Sequence, residues 1–230
     1  VKPDFFLGIE TSGTTTGVAL VRDRSVVFDE TVGERVRHDQ LLISLFDKAL
    51  TCAGAHVHDL AGVGVSIGPG MFSSLRVGVS AAKGLAVALS IRVKGVSTLW
   101  ALARSLPDPG RPVLAAIDAR RSQVYAALYH QDEVLLEPGL FSYAELALLV
   151  GSRAGPHLCG VGSGVALCRA HFQSLGLVLE PGGVEYPRAG VIALEAARAL
   201  ARGAADGLEK LVPVYLRRTD AELARNGRRA

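Results

Sequence analysis

Cysteine is scarce. The chain of 230 residues has three, Cys52, Cys159 and Cys168, and no pair is spaced C-x-x-C. An odd, scattered set predicts reduced thiols and excludes a disulfide framework. Histidine pairing is missing too. His38, His56, His58, His130, His157 and His171 form no H-E-x-x-H motif and no Cys/His cluster, so no metal ligands are expected. The sequence has no G-x-x-x-x-G-K-[ST] loop and no G-x-S-x-G elbow, which excludes a P-loop NTPase and an α/β-hydrolase. The longest mostly apolar run, 84–91, has eight residues, against the roughly 18 that a membrane helix needs. The first residues carry Asp4 and no basic stretch before a long apolar one. No signal peptide is expected, and the expected location is cytoplasmic.

Excess charge is also small. There are 25 basic and 22 acidic residues, and residues 1–216 hold 20 of each. A neutral body excludes a strongly basic domain that coats nucleic acid. The surplus lies at the end, where Arg217, Arg218, Arg225, Arg228 and Arg229 face only Asp220 and Glu222. Both an RNA-touching tail and a solvated one fit this pattern.

What remains is an ordinary globular mixture, 49% apolar and 20% charged. Three strands are predicted over 5–10, 17–22 and 25–32, joined by short connections as in an antiparallel meander. A helix over 39–53 carries Leu41, Leu42, Leu45, Phe46, Ala49 and Leu50 on an arc near 180°, wider than the roughly 100° one sheet requires. A strand over 60–67 and a helix over 73–89 follow, the helix rich in glycine and alanine. Then come a strand over 92–96 and a helix over 98–106. Pro107-Asp108-Pro109-Gly110 is the clearest boundary. Beyond it, strands are predicted over 113–118, 123–130, 133–137 and 157–160, with helices over 142–150 and 189–202. The repeated order predicts two α/β lobes, 1–107 and 108–217, then the basic tail 218–230.

One segment offers chemistry. Glu10, Thr11, Ser12, Gly13 and Thr14 end a strand with a carboxylate, then supply hydroxyls and free N–H groups. Such a loop can hold a nucleotide phosphate, with the carboxylate holding magnesium through water. A plain Thr/Gly hairpin turn fits equally well. Gly160-Val161-Gly162-Ser163-Gly164 falls short of a dinucleotide fingerprint, and Asp118-Ala119-Arg120-Arg121 reads as a charged turn. No complete catalytic set is present.

Five segments then occur in order: Gly8–Ser12, Gly68-Pro69-Gly70 with the residues up to Gly78, Gly95–Leu99, Ala116–Arg121 and Pro213-Val214-Tyr215-Leu216-Arg217. Together, over about 6–217, they closely resemble the TsaB (YeaZ) family, bacterial subunits needed to make threonylcarbamoyladenosine at position 37 of tRNA. Met71, Ser73 and Ser74 depart from the family's usual serine, threonine and glycine. Ser122 and Gln123 stand where glycine and glutamate are common.

The resemblance implies two RNase-H-like lobes of the actin/Hsp70/sugar-kinase (ASKHA) type. It also implies a non-catalytic subunit that binds and activates TsaD, the catalytic paralogue, which holds its metal through a histidine-x-x-x-histidine pair. A TsaE-like ATPase joins the assembly, tRNA is met through the complex, and ATP and metal belong to the partner subunits. The implied partner surface lies on the first two helices. The wide arc assigns it Leu41, Leu42, Leu45, Phe46 and Ala49, with Arg76, Val79 and Lys83 from the second helix. Leu42 and Phe46 are expected to face outward, and a homodimer could use the same face. The alternative is an autonomous ASKHA-type nucleotide hydrolase or kinase using the 10–14 loop.

Overall fold

The structure, a computed structural model, describes residues 4–33 and 38–217. The basic tail 218–230 lies outside the described residues.

Strand β1 (Phe5–Glu10) pairs antiparallel with β2 (Thr16–Arg22), and β2 with β3 (Ser25–Val32). The β2–β3 connection is Asp23-Arg24, both left-handed at φ 51° and 63°, the geometry that lets a two-residue hairpin follow strand twist. Helix α1 (His38–Ala53) leads to β4 (Leu60–Gly68), which lies parallel to β1. Helix α2 (Phe72–Leu89) leads to β5 (Arg92–Ser97), parallel to β4. The order is β3-β2-β1-β4-β5.

The second half repeats this wiring. Strands β6 (Val113–Asp118), β7 (Gln123–His130) and β8 (Glu133–Ser142) form a meander, followed by α4 (Tyr143–Gly151) and β9 (His157–Val161). Helix α5 (Val165–Ser174) and β10 (Val178–Pro181) complete a sheet ordered β10-β9-β6-β7-β8. Neither α5 nor β10 is foreseen in the sequence, and β8 runs five residues beyond its expected end. Pro138-Gly139 reads as a stop, yet the strand passes through it because Gly139 makes room for the Phe141 ring, whose Cζ would lie 2.4 Å from an added Cβ.

The strands divide near residue 107, but the helices do not. Helix α3 (Thr98–Arg104) follows the first sheet and buries Leu99 and Leu102 against Val113, Ala115 and Ala127 of the second. Helix α6 (Ala189–Ala201) returns to the first sheet, with Ala189 and Ala193 on Ala19 and Val21. That face is lined with glycine. A Cβ on Gly8 would fall 2.3 Å from the Ala189 carbonyl oxygen, and one on Gly64 2.5 Å from Ala196 Cβ. Only glycine permits so close an approach.

Helices α1 and α2 cover the opposite face, above Phe5, Leu7, Ile9, Val18 and Leu20. Here the expected outward surface needs correction. Leu42 is only 6% exposed, and Leu45, Ala49 and Val79 are buried beside it in the core. The wide apolar arc is mostly a deep core face, because α1 packs on β2 and β3 and meets α2 alongside. Gly78 is likewise buried, and a Cβ there would meet Thr11 Oγ1 at 2.3 Å. It opens space for the chain's own loop and not for a partner helix. By length and composition α2 is apolar enough to cross a membrane, but Leu75, Val79, Ala82 and Ala86 bind it to the sheet.

Candidate functional site

A cleft of about 590 Å³ opens between the lobes. One wall is the β1–β2 loop, with Ser12, Gly13 and Thr14; the other carries Asp118, Arg120 and Ser163. Glu10 and Thr11, expected in the same site, lie behind the wall. Glu10 is fully buried. Its Oε1 accepts the Ser12 N–H at 2.6 Å and the Ser12 hydroxyl. Oε2 is buried with no hydrogen-bond partner among the described residues. Burial pushes the Glu10 pKa up to about 7, while hydrogen bonds from Ser12 and Ser66 pull it partly back. Thr11 turns inward as well: its N–H donates to Ser66 Oγ at 3.4 Å and its hydroxyl to the Ser74 carbonyl at 2.8 Å.

The Gly68-Pro69-Gly70 turn seats this loop. Met71 N–H donates to the Ser12 carbonyl at 2.7 Å. A Cβ on Gly70 would be 2.3 Å from that oxygen, so backbone packs on backbone. On the far wall, Asp118 Oδ1 accepts the Arg120 N–H at 2.7 Å, and Oδ2 pairs with the Arg120 guanidinium at 3.1 Å. The carboxylate thus closes its own turn. The glycine-rich 160–164 segment is a packing feature. Gly162 has φ 102°, and a Cβ there would meet the Ala116 carbonyl oxygen at 2.2 Å. Among the described residues no three His, Cys, Asp or Glu side chains gather as a metal site.

A strap that no periodicity in the sequence predicts joins the lobes. After α6 the chain returns across the first lobe, where Val214 N–H donates to the Ile67 carbonyl at 2.7 Å. Tyr215 stacks on Phe72 with ring centroids 4.8 Å apart. Arg76 lies over Phe72 at 3.8 Å and donates to Tyr215 Oη at 3.2 Å. Arg217 then reaches the second lobe, donating to the Ala119 carbonyl at 2.6 Å and to Gln123 Oε1 at 2.5 Å. The signal was the Pro213–Arg217 motif itself, which carries too little apolar pattern to read as an element.

The outer faces of α1 and α2 are carried by other residues than expected. Ile43 is 67% exposed and Val87 65%, while Leu41, Phe46 and Lys83 are half-buried. Arg76 is exposed, yet it is held within the chain by Phe72 and Tyr215.

The tRNA threonylcarbamoyladenosine biosynthesis protein TsaB of Escherichia coli (strain K12) is 32% identical over 217 residues, covering 92% of this chain and 94% of the relative. The chain belongs to the TsaB family. Residues 34–150 also match the family model described as TsaD: tRNA N6-adenosine threonylcarbamoyltransferase. Among solved structures, YeaZ from Pseudomonas aeruginosa superposes with a TM-score of 0.74 at 26% identity, covering 93% of this chain and all of that one (100%). The Acidaminococcus fermentans (R)-2-hydroxyglutaryl-CoA dehydratase component A shares the fold alone, at a TM-score of 0.53 and 13% identity over 86% of this chain and 99% of that one. The fold of this TsaB-family chain is the expected pair of RNase-H-like lobes of ASKHA type.

Proposed function

We propose that this chain is a non-catalytic partner subunit that docks a TsaD-like transferase and activates threonylcarbamoyl transfer to tRNA. The observation that carries this is the state of Glu10. A phosphoryl-transfer site uses a carboxylate facing its cleft to hold a metal. Here the Glu10 carboxyl is fully buried, bound to Ser12 and partly protonated at neutral pH, and Asp118 on the opposite wall is tied to Arg120. The docking part is supported by Ile43 and Val87, large apolar side chains left in water on the two helices of one sheet face. ATP, the metal and a TsaE-like ATPase belong to the other subunits in this scheme, and the location is the cytoplasm.

The test is co-purification of the full chain with the TsaD-like protein of the same cell, with transfer to tRNA assayed for each protein and for the pair. Activity appearing only in the pair supports the proposal. Failure to pair would refute it. The cleft beside Ser12 and Thr14 favours the alternative of an autonomous nucleotide hydrolase, and steady ATP turnover by the isolated chain, lost in Glu10→Ala, would establish that instead.

A further inference from the structure

The neutral body of this chain does not spread its arginines evenly. At the end of the first lobe away from the Ser12–Thr14 loop, a cavity of about 570 Å³ is lined by Arg24, Arg92, Arg198 and Arg202, against Asp4 and Asp23. The four guanidinium-bearing residues come from three places: the β2–β3 turn, the start of β5 and the last turn of α6 with its cap. Each is positioned by the fold. Arg24 sits at a left-handed turn position, φ 63°. Arg92 Nη1 donates to the Leu200 carbonyl at 2.8 Å, which also neutralises the carbonyl end of α6. Arg198 pairs with Glu195 at 2.8 Å. The guanidinium groups of Arg24 and Arg202 have no hydrogen bond or ion pair among the described residues.

A second cavity, of about 210 Å³, adjoins this one. It shares Leu194 and Arg198 with the first and adds Arg104 and Arg111. Arg111 is already held by Glu180 at 2.5 Å and 3.0 Å, and Arg104 lies 3.6 Å from Asp132. The arginines therefore run as a track across α6, from the first lobe toward the second. Its open guanidiniums are at the first-lobe end.

A point anion needs one cluster. Arginines that continue across α6 suit a chain of anions, with the open guanidiniums of Arg24 and Arg202 each offering paired donors to a phosphate. We propose that this track takes a stretch of the phosphodiester backbone of tRNA. The identity of the RNA rests on the partner-subunit proposal above; the polyanion chemistry does not.

The test uses the full chain, alone and mixed with the TsaD-like partner. Binding to tRNA is measured by fluorescence anisotropy over a salt series, and pairing is measured separately by size-exclusion chromatography. Arg24→Ala with Arg202→Ala should weaken tRNA binding roughly tenfold and reduce the slope of log K against log salt by about two. Arg24→Lys with Arg202→Lys should retain most of the slope, since charge is kept. Circular dichroism checks that each variant is folded. Unchanged affinity and slope in a folded double-alanine variant would overturn the proposal, as would absence of tRNA binding by the wild type both alone and paired. Inorganic phosphate is the third arm. If it displaces short and long RNA equally, at low concentration, the cavity is a phosphate site and the track is refuted. Loss of pairing with tRNA binding intact would defeat the partner proposal and leave this one standing.

Discussion

Arg217 and Gln123 are 94 positions apart in sequence and meet at 2.5 Å between Nη2 and Oε1. The same guanidinium donates to the carbonyl oxygens of Ala119 at 2.6 Å and Arg120 at 3.4 Å. One residue of the strap thereby caps the β6–β7 turn, in which Arg120, Arg121 and Ser122 are all left-handed, at φ 62°, 56° and 56°. Because the strap is also held to the first lobe through Val214 and Tyr215, the contact ties one lobe to the other.

Removing that contact should be measurable. A charged donor lost from partly buried acceptors costs about 1.5–3 kcal/mol. Arg217→Ala should therefore lower stability by that amount in urea, and Arg217→Lys should recover little, because an ammonium cannot fork between Ala119 and Gln123. A chain ending at Arg217 should be as stable as the full chain, whereas one ending at Leu216 should match Arg217→Ala. Equal stability of the two truncations would show that the clamp is incidental.

The same turn predicts two stabilising changes. Ser122 occupies a left-handed position that costs an L side chain roughly 1–2 kcal/mol, only partly offset by glycine's freedom in the unfolded chain. Ser122→Gly should raise the midpoint of thermal unfolding. Gln123→Glu places a carboxylate against Arg217, and a half-exposed charged pair adds about 0.5–1 kcal/mol. High salt should erase the gain from Gln123→Glu and leave that from Ser122→Gly. A salt-independent gain at position 123 would contradict the ion-pair explanation.

How far these features were legible follows from their physics. The β1 and β2 strands and the α1 and α2 helices carry strong apolar periodicity, and their boundaries lie within a residue or two of those expected. Helix α5 hides behind a glycine-rich turn and a polar run, Arg169-Ala170-His171. The exchange of α3 and α6 between sheets is invisible in any local window; its only trace is the run of strand glycines, Gly8, Gly62 and Gly64, which the sequence reading left unexplained. Periodicity also could not show that Leu42 faces inward and Ile43 outward. For the loop, residue type pointed to Glu10 as a metal-facing carboxylate, but a side chain's direction is set by Ser12 and Ser66, which lie on different elements.

Glu10 gives the molecule a pH signature. Its folded pKa is raised from 4.5 to about 7. A carboxyl raised on folding stabilises the protein relative to its ionised state while it stays protonated. Stability should therefore fall as pH rises from about 4.5 through 7, then level off. Glu10→Gln keeps the acceptor for Ser12 and removes the charge. It should be more stable than the wild type by about 1–3 kcal/mol at pH 8 and nearly equal to it at pH 4.5. Urea unfolding at both pH values checks this; a variant equally stabilised at pH 4.5 would mean that packing, and not ionisation, is responsible.

Adjacent residues on α1 should behave in opposite ways. Leu42 lies in the core with Leu45 and Ala49, and Ile43 projects into water at 67% exposure. A glutamate at position 42 must either bury an unpaired carboxylate or open the helix from the sheet, costing several kcal/mol. Leu42→Glu should therefore unfold the chain or expose the core to dye. Ile43→Glu meets only solvent in the isolated chain, so stability should change by less than about 0.5 kcal/mol. In a complex built on the outer helix faces, however, that carboxylate would be desolvated, and binding to the TsaD-like partner should weaken at least tenfold. Val87→Glu, on α2, provides the second probe at 65% exposure. If both exposed-site variants stay folded and bind the partner as the wild type does, the docking surface lies elsewhere. If Leu42→Glu is as stable as the wild type, α1 does not pack through Leu42 on β2 and β3.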